Sequence, residues 1–198
     1  MNGCTLSITG CFIVSWLVAG CATATTTQVE IKAPTITPPA SAAEPQPEDP
    51  ATPTVRLAVQ CPSGWSAARD DSLTSLTLRH DHSLAVIRVS LWPLAEQTPS
   101  EKMMATWSDL SDQADEDSSL HPGTPFEQSV EGTKVIVMLS MRTTAEGQQH
   151  TLLHAAYRSN HEDYGIFLDG HWTAGMNGLM YSLIGQIARS IRVTTGEP

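Results

Sequence analysis

From residue 55 onward, apolar and polar side chains alternate in short runs set off by turn-forming residues, which is the signature of half-buried strands. Residues 55–60 predict a strand, and Cys61-Pro62-Ser63-Gly64-Trp65 predicts a turn that delivers a large aromatic side chain to the core. Leu76, Leu78 and His80 alternate with Thr77 and Arg79. Asp81-His82-Ser83 then reads as a turn, and Ala85, Ile87, Val89 and Leu91 line one face of a return strand, which together predict a β-hairpin. Four more strands are predicted over residues 126–130, 133–143, 150–159 and 164–169. Their separators are Glu131-Gly132, Ala145-Glu146-Gly147 and Asn160-His161-Glu162-Asp163, and connections this short require antiparallel neighbours. Val135, Val137, Leu139 and Met141 face one way while Ile136 and Met138 face the other, so the sheet is expected to be covered on both faces.

Two helices supply the covers. Thr98-Pro99-Ser100-Glu101 places a Thr at the N-cap, a Pro at the first helical position and a Glu three residues after the cap. The helix it starts is expected to run to about Gln113, with Met103, Met104, Trp107 and Leu110 on its apolar face and an acidic, Ser-rich loop over residues 112–119. Asp115, Glu116 and Asp117 in that loop lack the spacing and the glycine of a calcium loop, so a solvated turn is the expectation. Met176, Leu179, Met180, Leu183, Ile184, Ile187, Ala188 and Ile191 recur at helical spacing and predict a second amphipathic helix, which Gly178 and Gly185 weaken by about 1 kcal/mol each relative to Ala.

Upstream of residue 55 the texture is different. Residues 22–54 hold 7 of the chain's 13 prolines, many threonines and almost no large apolar side chains, a composition expected to remain a disordered tether. At about 3.1 Å per residue in extended polyproline-II geometry, such a tether reaches on the order of 100 Å. Residues 8–19 are apolar, end in small side chains and are too short for a membrane span of about 20 residues, as in the hydrophobic region of a signal peptide. The preceding residues 1–7 carry no Lys or Arg, which departs from the usual signal-peptide pattern.

Leu17-Val18-Ala19-Gly20-Cys21 resembles the lipobox of bacterial lipoproteins. The resemblance implies cleavage between Gly20 and Cys21, lipid attachment at the Cys21 thiol and acylation of the new N-terminus. With Ala22 rather than Asp after the cysteine, it implies an outer-membrane location facing the periplasm in a Gram-negative host. Four segments are therefore expected: a signal peptide over residues 1–20, a lipidated N-terminus and tether over 21–54, one folded domain over 55–195, and a tail over 196–198. Removal of Cys4 and Cys11 with the signal would leave Cys21 and Cys61, and Cys61 is expected to be a buried small apolar residue.

The net charge of −10 and a pI near 5.0 count against phosphate-directed binding, so no nucleic acid partner is expected. They also count against charge-driven docking on anionic lipid, so the membrane partner is to be reached through the lipid anchor.

Pro62-Ser63-Gly64-Trp65 before a hairpin, a capped helix, a meander punctuated by Glu131-Gly132 and a final helix ending Ala188-Arg189-Ser190-Ile191-Arg192 together resemble the PsbP-like superfamily, including the DcrB-like bacterial lipoproteins. The resemblance implies an α+β fold, a largely antiparallel β-sheet with helices on both faces (an α/β/α sandwich). Members of that superfamily are mostly non-enzymatic accessory or binding proteins, so with the anchor and tether the expectation is an accessory or binding role in the cell envelope with an envelope protein as candidate partner, and no cofactor is expected.

Seven histidines raise the alternative of an envelope hydrolase or metal-dependent enzyme. His80 and His82 are weak metal candidates at the hairpin tip, and His150 and His154 fall on one strand face. No Cys-x-x-Cys or His-Glu-x-x-His spacing completes either pair. The sequence also has no Gly-x-Ser-x-Gly elbow, P-loop or dinucleotide fingerprint, so no catalytic residue is assigned.

Overall fold

The computed structural model describes residues 25–32, 54–69, 75–130 and 132–196. Eleven strands and two α-helices run in the order β1 (Thr25–Lys32), β2 (Thr54–Cys61), β3 (Trp65–Arg69), β4 (Ser75–His80), β5 (Val86–Pro93), α1 (Pro99–Glu116), β6 (Leu120–His121), β7 (Phe126–Val130), β8 (Thr133–Thr143), β9 (Gln149–Arg158), β10 (Tyr164–Thr173), α2 (Asn177–Ser190) and β11 (Arg192–Gly196). A 3-10 turn over Ala174–Met176 leads into α2. All pairings are antiparallel. One sheet has the order β3-β4-β5-β10-β9-β8, with β6 and β7 both pairing the outer side of β8, and a second has the order β1-β2-β11.

The two sides of the large sheet bury separate cores, as the apolar side chains on both faces of β8 require. On one side Val137, Leu153, Ala155, Ile166 and Leu168 meet Leu57, Val59 and Val193 of the small sheet and Met180, Leu183, Ile184 and Ile187 of α2. On the other, Met138 and Ala156 meet Trp92 and Met103, with Trp107 and Leu110 of α1 packed against them. The α/β/α sandwich expected from the sequence is the observed fold.

The start of α1 follows from its capping residues. Glu101 N donates to Thr98 Oγ1 at 3.3 Å and Thr98 N donates to Glu101 Oε2 at 2.8 Å, which closes the capping box and holds the Glu101 carboxyl below its ordinary range. Four details differ from the expectation. The helix continues to Glu116, through residues read as the start of a loop, and Met104 is 51% exposed because the buried stripe is the narrower Met103, Trp107, Leu110 set. Leu179 of α2 is likewise exposed, one step round the helix from Met180. Two strands differ from the expectation: β3 pairs with its neighbour β4, and β11 pairs with β2, distant in sequence.

The fourth difference concerns the tether. Within residues 22–54, expected to be disordered throughout, Thr25–Lys32 form β1 and pair with β2 in the register Val29↔Leu57 and Ile31↔Val55. The alternation Val29, Glu30, Ile31, Lys32 suits a strand, and β2 supplies the ladder that an isolated segment lacks. Apart from Thr54, which opens β2, the remainder of the expected tether, the expected signal peptide, Gly20 and Cys21 lie outside the described residues.

Two features of the packing carry predictions. A Cβ on Gly165 would land on the indole of Trp92, which is buried and fixed by donation from its Nε1 to Gln97 O at 2.7 Å. Gly165→Ala is expected to cost about 1–3 kcal/mol, measured by chemical denaturation, because the ring has no slack position. Cys61 is 6% exposed and its thiol donates to Trp65 O at 3.1 Å, while burial and then Asp81 raise its pKa. Alkylation at Cys61, mapped by mass spectrometry, is expected to be negligible in the folded protein and complete in denaturant.

Candidate functional site

Strand register brings together chemistry that sequence spacing scatters. On the α1 side of the large sheet, His150 sits opposite Arg142 of β8, His154 opposite Met138 of β8 and Asp169 of β10, and Asp169 opposite Arg88 of β5. Residues on this face repeat every second position, so His150, His154 and Arg158 of β9 share it with Asp169 and His171 of β10 and with Arg79 of β4. Helix α1 packs on β8 and β9 and reaches Trp92 of β5 and Phe167 of β10, while the Arg79, Arg88 and His171 positions at the other end of β4, β5 and β10 are exposed. Asp169 is half-buried.

His150 Nδ1 and His171 Nε2 lie 2.8 Å apart, and His150 Nε2 lies 3.3 Å from Gln148 Oε1. At 2.8 Å one of the two rings donates to the other, and which of them does so is set by their tautomers. Burial, then the neighbouring His150, lower the pKa of His171. His154 is buried and stacked on Phe167 with ring centroids 6.0 Å apart, and its pKa is lowered by burial against the opposing effect of Asp169. Its Nδ1 is 3.6 Å from Asp169 Oδ1, beyond hydrogen-bond reach, and neither ring nitrogen has a hydrogen-bond partner. No hydroxyl or thiol is bonded to this imidazole as a nucleophile would be. Lys102 of α1 lies over the Phe167 ring at 5.6 Å and brings one more cation to the margin of the face.

These shifts fix a pH dependence. A folded-state pKa depressed below the unfolded value of 6.5 means that the unfolded chain binds protons more readily. The contribution of neutral His154 and His171 is therefore fully present above about pH 6.5 and is lost as pH falls through their folded values. Thermal midpoints are expected to drop between pH 7 and pH 5, and His154→Leu should reduce that slope by up to one linked proton.

The hairpin tip is separate. His80 is half-buried against Trp65, with ring centroids 5.2 Å apart, and its Nδ1 is buried without a partner. His82 is exposed, with its ring centroid 6.1 Å from that of His80. Among the described residues, no three of His, Cys, Asp and Glu group to hold a metal ion, and neither tip histidine gains a third ligand. Of the acidic run, Asp117 accepts from Ser119 N and Oγ, bonds that hold its pKa down, and lies 3.5 Å from Arg142, the residue opposite His150. His150 and His154 share a face as expected. Their neighbours His171 and Asp169 were not found from the sequence, because the β9–β10 register sets that meeting.

The element order and the helix on each side of the sheet define a PsbP-like α+β fold. No protein-family model matches the chain and no curated protein matches its sequence. Among solved structures it is similar to the cyanobacterial PsbP protein CyanoP from Synechocystis sp. PCC 6803, at 11% identity and a TM-score of 0.52, over 70% of this chain and 86% of that one. It is also similar to LpqN, involved in cell envelope biogenesis of Mycobacterium tuberculosis, at 11% identity and a TM-score of 0.50, over 85% of this chain and 91% of that one. Among the described residues, no helix is long and apolar enough to cross a membrane.

Proposed function

We propose that this chain is an exported lipoprotein, cleaved between Gly20 and Cys21 and acylated at Cys21, whose PsbP-like domain is a non-catalytic accessory or binding module of the cell envelope. The observation that carries the reading is Leu17-Val18-Ala19-Gly20-Cys21, which follows a short apolar segment and precedes one folded domain. A thiol is the strongest neutral-pH nucleophile among the side chains and is suited to attaching a diacylglycerol group, and the small residues before it admit the backbone to a narrow peptidase site. Ala22 favours the outer membrane in a host with two membranes. The similarity of fold to LpqN, whose role lies in the cell envelope, supports the same compartment.

The binding half of the reading rests on the exposed end of β4, β5 and β10. In a chain of net charge −10, Arg79, Arg88 and His171 stand together on one face, with Asp169 among them. Such a surface selects a partner by charge and hydrogen-bond pattern more than by apolar area. Intact mass of the protein purified from its host membrane tests the reading. The expected species begins at Cys21 and carries diacylglycerol with an N-acyl group, and an unmodified chain retaining residues 1–20 would overturn it.

A further inference from the structure

We infer that the turn at residues 62–64 and the hairpin tip at 81–85 form a bilayer-facing end of the domain, held against the lipid surface by β1 with Leu84 as its apolar contact. The inference rests on the anchor reading above and adds an orientation to it.

The first ground is where the chain enters the fold. β1 runs antiparallel to β2 with Thr25 opposite Cys61, so the N-terminal end of β1 lies at the end of β2 that leads into Pro62-Ser63-Gly64. Only residues 22–24 separate Cys21 from Thr25. Four Cα–Cα steps span at most about 14 Å at full extension. With β1 paired, the acylated cysteine cannot lie farther than that from this end of the sheet. Residues 33–53 come after β1 in the chain and so add nothing to the separation between Cys21 and β1.

The second ground is the make-up of that end. Gly64, at φ +77°, turns the chain so that its carbonyl accepts from Asp81 N at 2.9 Å, which ties the 62–64 turn to the hairpin. His80 N donates to Ala85 O at 3.0 Å, Ala85 N donates to Ser83 Oγ at 3.2 Å, and the Trp65 and His80 rings meet edge to face. The two loops thus make one rigid tip. Leu84 stands on it 72% exposed, the most exposed of the large apolar side chains named among the described residues. Residues 61–65 and 81–85 contain no Lys or Arg and a single carboxylate, Asp81. A tip with one projecting leucine and a single carboxylate gains from apolar contact with the acyl boundary, and in zwitterionic lipid its one charge meets no net opposing potential.

The test uses the full chain, purified from its host membrane and reconstituted in phosphatidylcholine vesicles. An environment-sensitive fluorescent amino acid is introduced at position 84, or at position 104 on α1, which packs on the β8 and β9 edge of the sheet away from β3 and β4. Nitroxide-bearing lipids are expected to quench the probe at 84 several-fold more than the probe at 104. Inserting about 20 Gly/Ser residues between Ala24 and Thr25 is expected to abolish the difference, since flexible chain then separates anchor from tip. The same insertion within residues 33–53, beyond β1, should leave it intact. Equal quenching at the two positions, or equal effects of the two insertions, would overturn the inference. If intact mass shows no acyl group on Cys21, the anchor reading fails by itself. Coupling the Cys21 thiol to a maleimide-headgroup lipid then repeats the measurement with the same two deciding outcomes.

Discussion

Trp172→Ala is expected to lower the stability of the domain by about 3–5 kcal/mol and the thermal midpoint by on the order of 10 °C. Trp172 has no exposed surface and packs edge to face on Tyr181 of α2, with ring centroids 6.1 Å apart. Its Nε1 donates to Asn177 Oδ1 at 2.7 Å, and the same oxygen accepts from Thr151 Oγ1 at 2.8 Å. One side chain at the start of α2 is thus joined to both β9 and β10, and the indole fills the space beneath the helix. Truncation to alanine removes the packing, the donor and the helix anchor together. Trp172→Phe keeps most of the ring and leaves Thr151 as the donor to Asn177, so its cost should be nearer about 1–2 kcal/mol. Guanidinium unfolding measures both. A Trp172→Ala loss under about 1 kcal/mol would show that α2 is held by its leucine and isoleucine stripe alone.

How much of this was legible in the sequence depends on how local each signal was. The capping box at Thr98 and Glu101, the alternation through the β4–β5 hairpin and the helical spacing from Met176 to Ile191 are short-range patterns, and each element forms where those patterns place it. β1 and β11 exist because β2 lies between them, and no local run of residues specifies that meeting. Thr25–Lys32 in particular precedes a proline-rich stretch whose composition masked the alternation of Val29 and Ile31 with Glu30 and Lys32. The histidine face was half legible. A period of two places His150 and His154 on one side of β9, but the contact between His150 and His171 and the approach of Asp169 to His154 follow from the β9–β10 register, which the turn at residues 159–163 fixes. Met104 and Leu179 show the limit of periodicity: a stripe drawn one residue too wide includes side chains that the helix turns to solvent.

The second large effect expected is on location. Several acyl chains hold a protein to a bilayer at about 0.8 kcal/mol per buried CH₂, whereas the described surface of this acidic domain offers only scattered exposed apolar side chains such as Leu84, Phe126 and Leu179 to anchor it. Cys21→Ser leaves the apolar segment and every described residue unchanged and removes the single sulfur on which lipid attachment depends. The folded domain should survive, with the same thermal midpoint, while its association with membrane is lost. Retention of the midpoint separates a failed anchor from a failed fold.

Fractionation of host cells expressing the wild-type chain or Cys21→Ser, with the folded state of each checked by its thermal midpoint, tests lipid anchoring most directly. The expected result is wild-type protein in the membrane pellet and Cys21→Ser protein outside it. Equal distribution of the two would contradict a lipid anchor at Cys21 and leave only a small PsbP-like domain with a polar, histidine-bearing sheet face.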